Sequence, residues 1–151
     1  MKTLILVRHA NALSAYEAGV QTDEARPLSD EGLQKAAQTA DRLAALHVCP
    51  QIIFASPLLR ARQTADILAR TLHAPVSVET ILNGMYDEHA VRDFFTEQPA
   101  PHDTVLAVGH NPNISYVTAL LTGQVYHFAP GSFAVIDMQD KNKPKILSFG
   151  E

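Results

Sequence analysis

The chain has little cysteine, no excess of positive charge and no long apolar run, and each shortage excludes a class of protein. Cys49 is the single cysteine, which excludes a disulfide scaffold and a zinc site built from cysteine ligands. The net charge is −4, from 12 Lys and Arg against 16 Asp and Glu, so a broad nucleic-acid or anionic-membrane surface is disfavoured. No apolar run approaches the ~20 residues that a membrane span needs.

A secretory signal is also not evident. Only the short apolar run from Leu4 to Val7 precedes the charged Arg8, too few residues for the core of a signal peptide. Together with the low cysteine content, this favours a cytoplasmic protein. The chain has 151 residues, of which 46% are hydrophobic and 19% charged, and it shows no internal repeat, low-complexity tract or linker. We therefore expect one globular domain over residues 1–151.

Apolar runs and amphipathic stretches alternate along the chain. The run at 4–7 is typical of a strand buried on both faces of a parallel sheet. Residues 10–28 show no clear period and are predicted to form a long loop. Pro99 and Pro101 are expected to bound one of the helices. The predicted strands are 4–7, 51–55, 76–78, 104–108, 133–138 and 146–149, and the predicted helices are 30–44, 57–72, 88–97 and 114–121. This alternation predicts an α/β fold with a mostly parallel sheet.

Local signals predict how the first two long helices begin and which face they bury. Ser29 or Asp30 is expected to cap the first helix, and Ser56 the second, with Pro57 in its first turn. Spacings of three and four residues predict one apolar stripe on the first helix. Its members are Leu33, Ala36, Ala37, Ala40, Leu43 and Ala44.

Three predicted strands end in polar residues of one chemical kind. The first ends in Arg8 and His9, the second is followed by Arg60 one turn into the next helix, and another ends at His110. Ligands of open α/β sheets bind beyond the carboxyl ends of the strands, so these side chains are expected to meet. Arginine forks and helix N-termini both suit an anion. Considered alone, Arg60 would more often be a surface residue, and His110 a hydrogen-bonded core residue. Because polar groups of this kind follow three strands that end at one edge of the sheet, an anion site is favoured.

This combination of groups can perform nucleophilic chemistry on phosphorus. Histidine is mostly neutral near pH 7, and its free ring nitrogen can attack a phosphoryl group. The arginines would hold that group in line and neutralise its oxygens. No Gly-rich Walker loop is present, which disfavours a nucleotide kinase. No metal or organic cofactor is expected, because the arginines supply the positive charge. Five further histidines lack the spacing of metal ligands: His47, His73, His89, His102 and His127.

Four segments carry a pattern that is known from one family. They are Leu6-Val7-Arg8-His9-Ala10, Ser56-Pro57-Leu58-Leu59-Arg60-Ala61-Arg62-Gln63-Thr64-Ala65, Val108-Gly109-His110-Asn111-Pro112 and the helix-opening Arg26-Pro27-Leu28-Ser29-Asp30-Glu31-Gly32. These segments resemble, in order and spacing, the motifs of the histidine phosphatase superfamily, also called the phosphoglycerate mutase-like family. The resemblance implies a phosphoglycerate mutase-like fold, a three-layer α/β/α sandwich around the mostly parallel sheet.

The resemblance also assigns roles to the strand-end residues. It implies that His9 is the nucleophile that accepts the phosphoryl group. Arg8, Arg60 and His110 would form the phosphate pocket around it. Arg26 has two open interpretations, as a further phosphate ligand or as a salt-bridge partner that anchors its loop.

The chain departs from the family where the proton donor is usually found. The position of the usual glutamate holds Asn83 or Gly84, and Asn111 stands where one branch of the family has an aspartate. Neither standard acid is therefore evident. Among the fallback acids, Glu88 would be tested first, although its interpretation as a charge at a helix N-terminus is favoured over that as an acid. The other fallback acids are Asp23, Glu79 and Asp87.

The absence of a general acid indicates which class of leaving group the substrate has. An alkoxide leaves poorly unless it is protonated, and a general acid typically contributes about 10²- to 10⁴-fold. The nitrogen of a phosphoramidate can instead leave as neutral imidazole. The chain is also short, which implies an open site that a protein side chain can enter. The whole pattern is similar to the short phosphohistidine phosphatases of the SixA type, which implies action on phosphohistidine in proteins.

Two other functions are kept as alternatives. The first is a broad phosphomonoesterase of the same superfamily, acting on small phosphate esters with an acid not yet placed. The second is a phosphate-binding module that has lost turnover. A mutase is disfavoured because the chain offers little from which to build a lid. No nucleic-acid or membrane partner is expected.

Overall fold

The computed structural model describes residues 1–98 and 102–151, so Pro99 and Pro101, predicted to bound a helix, lie outside the described residues. The strands are β1 (Thr3–Arg8), β2 (Ile52–Ala55), β3 (Val76–Val78), β4 (Thr104–Gly109), β5 (Phe133–Asp137) and β6 (Lys145–Gly150). The helices are α1 (Ala15–Ala18), α2 (Asp30–Ala45), α3 (Leu59–Leu72), α4 (Glu88–Thr96) and α5 (Asn113–Thr122).

The described strands form one sheet in the order β3-β2-β4-β1-β5-β6. β3, β2, β4 and β1 run parallel to one another, whereas β5 runs antiparallel to both β1 and β6. The predicted α/β fold with a mostly parallel sheet is confirmed. β6 runs antiparallel to β5 because a short polar turn joins them, and a tight connection can join only antiparallel neighbours.

Helices cover both faces of the sheet and form the two outer layers. Ile5 and Val7 of β1 pack with residues of α2 and α3, whereas Leu4 and Leu6 pack with residues of α4 and α5. Alternate side chains of a strand point to opposite faces, and all four are 0% exposed. Burial of each such side chain stabilises the fold by roughly 1.5–3 kcal/mol. This two-sided burial is the physical reason for the continuous apolar run in the sequence.

Helix α2 begins where predicted but buries a slightly different face. Ser29 caps it, since its side chain accepts a hydrogen bond from the backbone of Gly32 at 3.0 Å. The predicted stripe was wrong at Leu33, Ala37 and Ala44, which are exposed. The buried residues are Gly32, Ala36, Thr39, Ala40 and Leu43. Gly32 sets this face, because a Cβ there would lie 1.9 Å from the carbonyl oxygen of Asn11.

Two other local predictions were wrong. Helix α3 begins at Leu59 with no side-chain cap, so Ser56 does not cap it. Residues 10–28 are not only loop, since they contain α1 and a 3₁₀ turn at Asp23–Ala25. A reciprocal pair of hydrogen bonds between Ser14 and Glu17, a capping box, explains why this short stretch becomes helical.

Candidate active site

A pocket opens at the carboxyl ends of β1, β2 and β4. Because these strands are parallel neighbours, their ends meet at one edge of the sheet. The cavity has a volume of about 340 Å³ and opens to solvent. Its described lining consists of Arg8, His9, Asp23, Arg26, Leu58, Arg60, Asn83, Gly84, Met85, His110 and Asn111. The structure thus brings together all the strand-end residues that were singled out in the sequence, and Arg26 with them.

Hydrogen bonds fix the orientation and the tautomer of His9. Its backbone N–H donates to the carbonyl of Gly109 at 3.1 Å, and its ring Nδ1 lies 2.7 Å from the carbonyl oxygen of Ala10. A carbonyl oxygen can only accept, so Nδ1 carries the proton and Nε2 keeps its lone pair. Burial lowers the pKa of His9 to about 4; the Ala10 hydrogen bond opposes this, and the charges of nearby arginines add to it. At neutral pH, His9 is therefore a neutral imidazole with a nucleophilic Nε2.

His110 lies beside His9, with 5.1 Å between their ring centroids. Its Nε2 is 2.7 Å from Oγ of Ser56, and that oxygen also accepts from the backbone N–H of Leu58 at 3.2 Å. Ser56 is fully buried, so its hydroxyl proton needs an acceptor, and Nε2 of His110 is the acceptor within reach. The ring proton of His110 is therefore assigned to Nδ1. Burial, followed by the charges of His9 and Arg60, lowers the pKa of His110 to about 3.

Two guanidinium groups reach the pocket from β1 and from the first turn of α3. Nη1 of Arg8 donates to the carbonyl of Phe128 at 2.8 Å, and its buried Nε has no hydrogen-bond partner among the described residues. Burial lowers the pKa of Arg8, but a guanidinium stays charged at physiological pH. Arg60 is only 8% exposed and donates from Nη1 and Nη2 to the backbone carbonyl and carboxylate of Asp23, at 2.9 and 3.0 Å.

Arg26 combines the two interpretations that the sequence left open. Its Nη1 forms a 2.9 Å ion pair with Oδ1 of Asp23, and its Nε donates to the carbonyl of Leu13 at 2.8 Å. These contacts anchor the 3₁₀ turn at Asp23–Ala25. The side chain also belongs to the pocket lining, so it is available to a bound anion.

Asp23 is the one fallback acid that lies in the described pocket lining. Hydrogen bonds from Arg26 and then Arg60 lower its pKa, so it is ionised at neutral pH and has no proton to donate. Glu88, the acid favoured for testing, is the first residue of α4 and lies outside that lining. The remaining two, Glu79 and Asp87, also lie outside it.

The two positions where family acids are missing both line the pocket. Asn83 accepts a hydrogen bond from the backbone of Met85 at 2.8 Å, and Asn111 donates from Nδ2 to the carbonyl of Phe128 at 3.1 Å. Gly84 has a φ of +88°, and a Cβ there would lie 3.5 Å from Cβ of His110. The residues at these positions are therefore uncharged and offer no carboxyl proton to the pocket.

Asp87, Glu88 and His89 form a cluster of potential metal ligands away from this pocket, with ligand atoms within 4.8 Å of one another. Oδ1 of Asp87 accepts from the backbone N–H of His89 at 2.8 Å and lies 3.1 Å from its Nδ1. These are the contacts of a helix N-cap, which accounts for the cluster without an ion.

Two residues that hold the site in place were missed in the sequence. Ser56 was interpreted as a helix cap, although its hydroxyl contacts His110. Thr64 was not considered; its buried hydroxyl donates to the carbonyl of Arg60 at 2.8 Å and accepts from the backbone N–H of Ala10 at 3.1 Å. The available signal was a threonine among the apolar positions of α3. Arg62, two residues from Arg60, is exposed and does not belong to the described pocket lining.

Comparisons with known proteins agree on one family and one fold. The family model described as histidine phosphatase superfamily (branch 1) matches residues 4–86. An uncharacterized protein of Picosynechococcus sp. is 32% identical over 129 residues, which cover 82% of this chain and 76% of that protein.

Solved structures give a similar result for the fold. A structure of the protein histidine phosphatase SixA complexed with tungstate has a TM-score of 0.87 and 22% identity, covering 97% of this chain and 95% of that one. A second structure, described as a phosphohistidine phosphatase SixA from Nakamurella multipartitia, has a TM-score of 0.84 and 25% identity, covering 99% of this chain and 95% of that one.

Among the described residues, no helix is long and apolar enough to cross a membrane.

Proposed function

The chain belongs to the histidine phosphatase superfamily, branch 1, and we propose that it hydrolyses phosphohistidine in proteins through a phosphorylated His9. The observation that carries this proposal is the pairing of a neutral, oriented His9 with a described pocket lining that contains no proton-donating carboxyl group. The first feature supports the nucleophile, and the second supports the class of leaving group.

In the first step, the lone pair of His9 Nε2 attacks phosphorus. The new P–N bond forms while the bond between phosphorus and the substrate nitrogen breaks. If the second ring nitrogen of the substrate is protonated, the substrate leaves as neutral imidazole, so no acid from the enzyme is required. The phosphorylated ring of His9 becomes cationic, and its Nδ1–H remains bonded to the carbonyl of Ala10. This hydrogen bond becomes charge-assisted and stabilises the intermediate.

In the second step, water attacks phosphorus on the opposite side and the P–Nε2 bond breaks. The bonding pair returns to Nε2, His9 becomes neutral again, and both protons of water remain with the phosphate, which forms as H₂PO₄⁻. Arg8, Arg60 and Arg26 supply positive charge to the phosphoryl oxygens in both steps, and the Nδ1–H of His110 adds a neutral donor. Preorganised donors of this kind usually supply the largest part of the rate enhancement.

The substrate class follows from chemistry and access. A phosphomonoester needs a proton donor for its alkoxide. At the two positions where members of the family carry that acid, this pocket has Asn83 and Asn111. The cavity is open to solvent, which suits a side chain carried by a protein. The shared fold with SixA phosphohistidine phosphatases supports the same substrate class.

A paired turnover assay tests this proposal. A phosphohistidine-bearing protein and an alkyl phosphate, whose alkoxide leaving group requires a proton donor, are incubated with the wild-type chain, with His9→Ala, and with His47→Asn as the control. His47 is exposed and has a φ of 60°, a backbone conformation that asparagine tolerates. We expect phosphohistidine turnover to exceed ester turnover by at least about 10²-fold, the contribution that an absent acid would have made. Both activities should vanish in His9→Ala and persist in the control.

The assay contains EDTA and no added metal, because the arginines supply the charge in the proposed mechanism. Equal or faster hydrolysis of the ester would contradict the phosphohistidine assignment and favour a phosphomonoesterase. Binding of phosphate without turnover of either substrate would favour the binding module instead.

A further inference from the structure

The charge of the pocket is unusual in one respect, because a carboxylate sits among its arginines. Oδ1 of Asp23 pairs with Nη1 of Arg26 at 2.9 Å, and Oδ2 pairs with Nη2 of Arg60 at 3.0 Å. The backbone carbonyl of Asp23 accepts from Nη1 of Arg60 as well. Each carboxylate oxygen is thus held by a different arginine of the anion site.

Anchoring of the loop does not depend on this carboxylate alone, and proton donation does not use it. The surrounding loop has other ties, since Leu28 N donates to Oε1 of Gln63 at 2.7 Å and Arg26 Nε donates to Leu13. The low pKa of Asp23 leaves it without a proton to give. Its negative charge is therefore the property that still needs an explanation.

The charges of the pocket suggest what that explanation is. Three guanidinium groups, those of Arg8, Arg26 and Arg60, bring three positive charges, and Asp23 removes one. The resulting sum of two matches the two negative charges of a phosphate dianion. Without Asp23, the same dianion would meet three positive charges and would be released more slowly after hydrolysis.

We infer that Asp23 is a built-in counter-anion that weakens the pocket's hold on phosphate and so permits product release. This inference rests on the proposed function, because it concerns the product of that reaction. The carboxylate is suited to the role: its side chain is 57% exposed, so it stays hydrated, whereas its partner Arg60 is 9% exposed and presents its charge to the pocket.

The test is the affinity for inorganic phosphate, measured by calorimetric titration at pH 7.5. Asp23→Asn removes the charge, keeps one oxygen acceptor and leaves the backbone carbonyl bonded to Arg60. We expect this variant to bind phosphate about tenfold more tightly, an ordinary size for one nearby charge that is partly screened by water. In turnover assays, phosphate should inhibit the variant at correspondingly lower concentrations, and kcat should fall.

Glu24→Gln is the matched control, because it removes the same charge from the next residue, an exposed one that is not part of the pocket lining. We expect its affinity for phosphate to stay within about twofold of the wild type. Asp23→Ser provides a second neutral variant in case the asparagine perturbs folding, which a thermal melt reveals.

Unchanged or weaker phosphate binding in folded Asp23→Asn or Asp23→Ser would overturn the inference and leave Asp23 a purely structural residue. An equally large gain in Glu24→Gln would also overturn it, because the effect would then be one of general charge. The titration needs no turnover, so it decides the role of Asp23 even if the chain fails to hydrolyse phosphohistidine.

Discussion

At the scale of single residues, the site depends on which ring nitrogen of each histidine carries a proton. The carbonyl of Ala10 fixes this for His9 by accepting from Nδ1. For His110 the assignment follows from the buried hydroxyl of Ser56, which accepts from Leu58 and needs Nε2 of His110 as the acceptor for its own proton. His9 therefore offers a lone pair on Nε2, whereas His110 offers an N–H on Nδ1.

Replacing Ser56 by alanine is expected to lower kcat about tenfold, since one neutral hydrogen bond contributes about 0.5–1.5 kcal/mol and the ring of His110 would lose its fixed tautomer. KM should change little. The ¹⁵N shifts of His110 should report a proton on Nδ1 in the wild type and a mixture of tautomers in the variant. Ser77→Ala is the control, because Ser77 bonds to Glu79 outside the pocket lining. A wild-type proton on Nε2 would contradict this account.

Residues with a recognisable chemical role could be located from the sequence, whereas their partners could not. Arg8, His9 and His110 follow strands whose apolar runs mark them clearly. Asp23 belongs to a 3₁₀ turn in a stretch without periodicity, and its contact with Arg60 spans 37 positions. Only the folded path of that stretch brings the two together, and no local pattern encodes it.

At the scale of elements, α3 organises the site by holding three points of the connection between β1 and α2. Arg60 binds the turn at Asp23, Gln63 accepts from Leu28, and Thr64 accepts from Ala10. These residues lie on adjacent turns of one helix, so a single rigid element sets their relative positions. Periodicity predicted the four longer helices, α2 to α5, and the buried strands. It did not predict the start of α3, because Ser56 forms a tertiary contact instead of a cap.

Thr64→Val tests this role of α3. The variant keeps the shape of the side chain but leaves the buried N–H of Ala10 without its acceptor, which should cost about 1–3 kcal/mol of unfolding free energy. Turnover should fall as well, because Ala10 follows His9 directly. Urea denaturation and turnover measurements check both effects.

Thr118→Val is a closely matched control for that substitution. Thr118 is also buried, and its hydroxyl likewise donates to the carbonyl four residues earlier in its own helix, that of Ile114. It accepts no hydrogen bond from another loop among the described contacts. Equal losses of stability in the two variants would show that the contact with Ala10 contributes nothing.

At the scale of the whole molecule, the sheet order explains why an acidic chain can hold a cationic pocket. β4 and β1 are adjacent in the middle of the sheet, with β2 beside them, so their three carboxyl ends form one site. The apolar residues of these strands are buried between two layers of helices, which leaves the strand ends as the place where polar groups emerge. In this pocket His9 and His110 are removed from water and lie near arginines, which lowers the pKa of both rings.

This burial predicts how stability depends on pH. Unfolded histidine takes up a proton near pH 6.5, whereas the pKa is about 4 for folded His9 and about 3 for folded His110. Between pH 6.5 and pH 4 the unfolded chain therefore binds more protons, so the free energy of unfolding falls as the pH falls. Each histidine should lower it by on the order of 2 kcal/mol at pH 5 relative to pH 7.5. Urea midpoints in phosphate-free buffer measure the effect, and His9→Gln should make the pH dependence shallower. A free energy of unfolding that stays constant from pH 7.5 to pH 5 would contradict the burial of neutral rings, and with it the neutral nucleophile that the proposed mechanism requires.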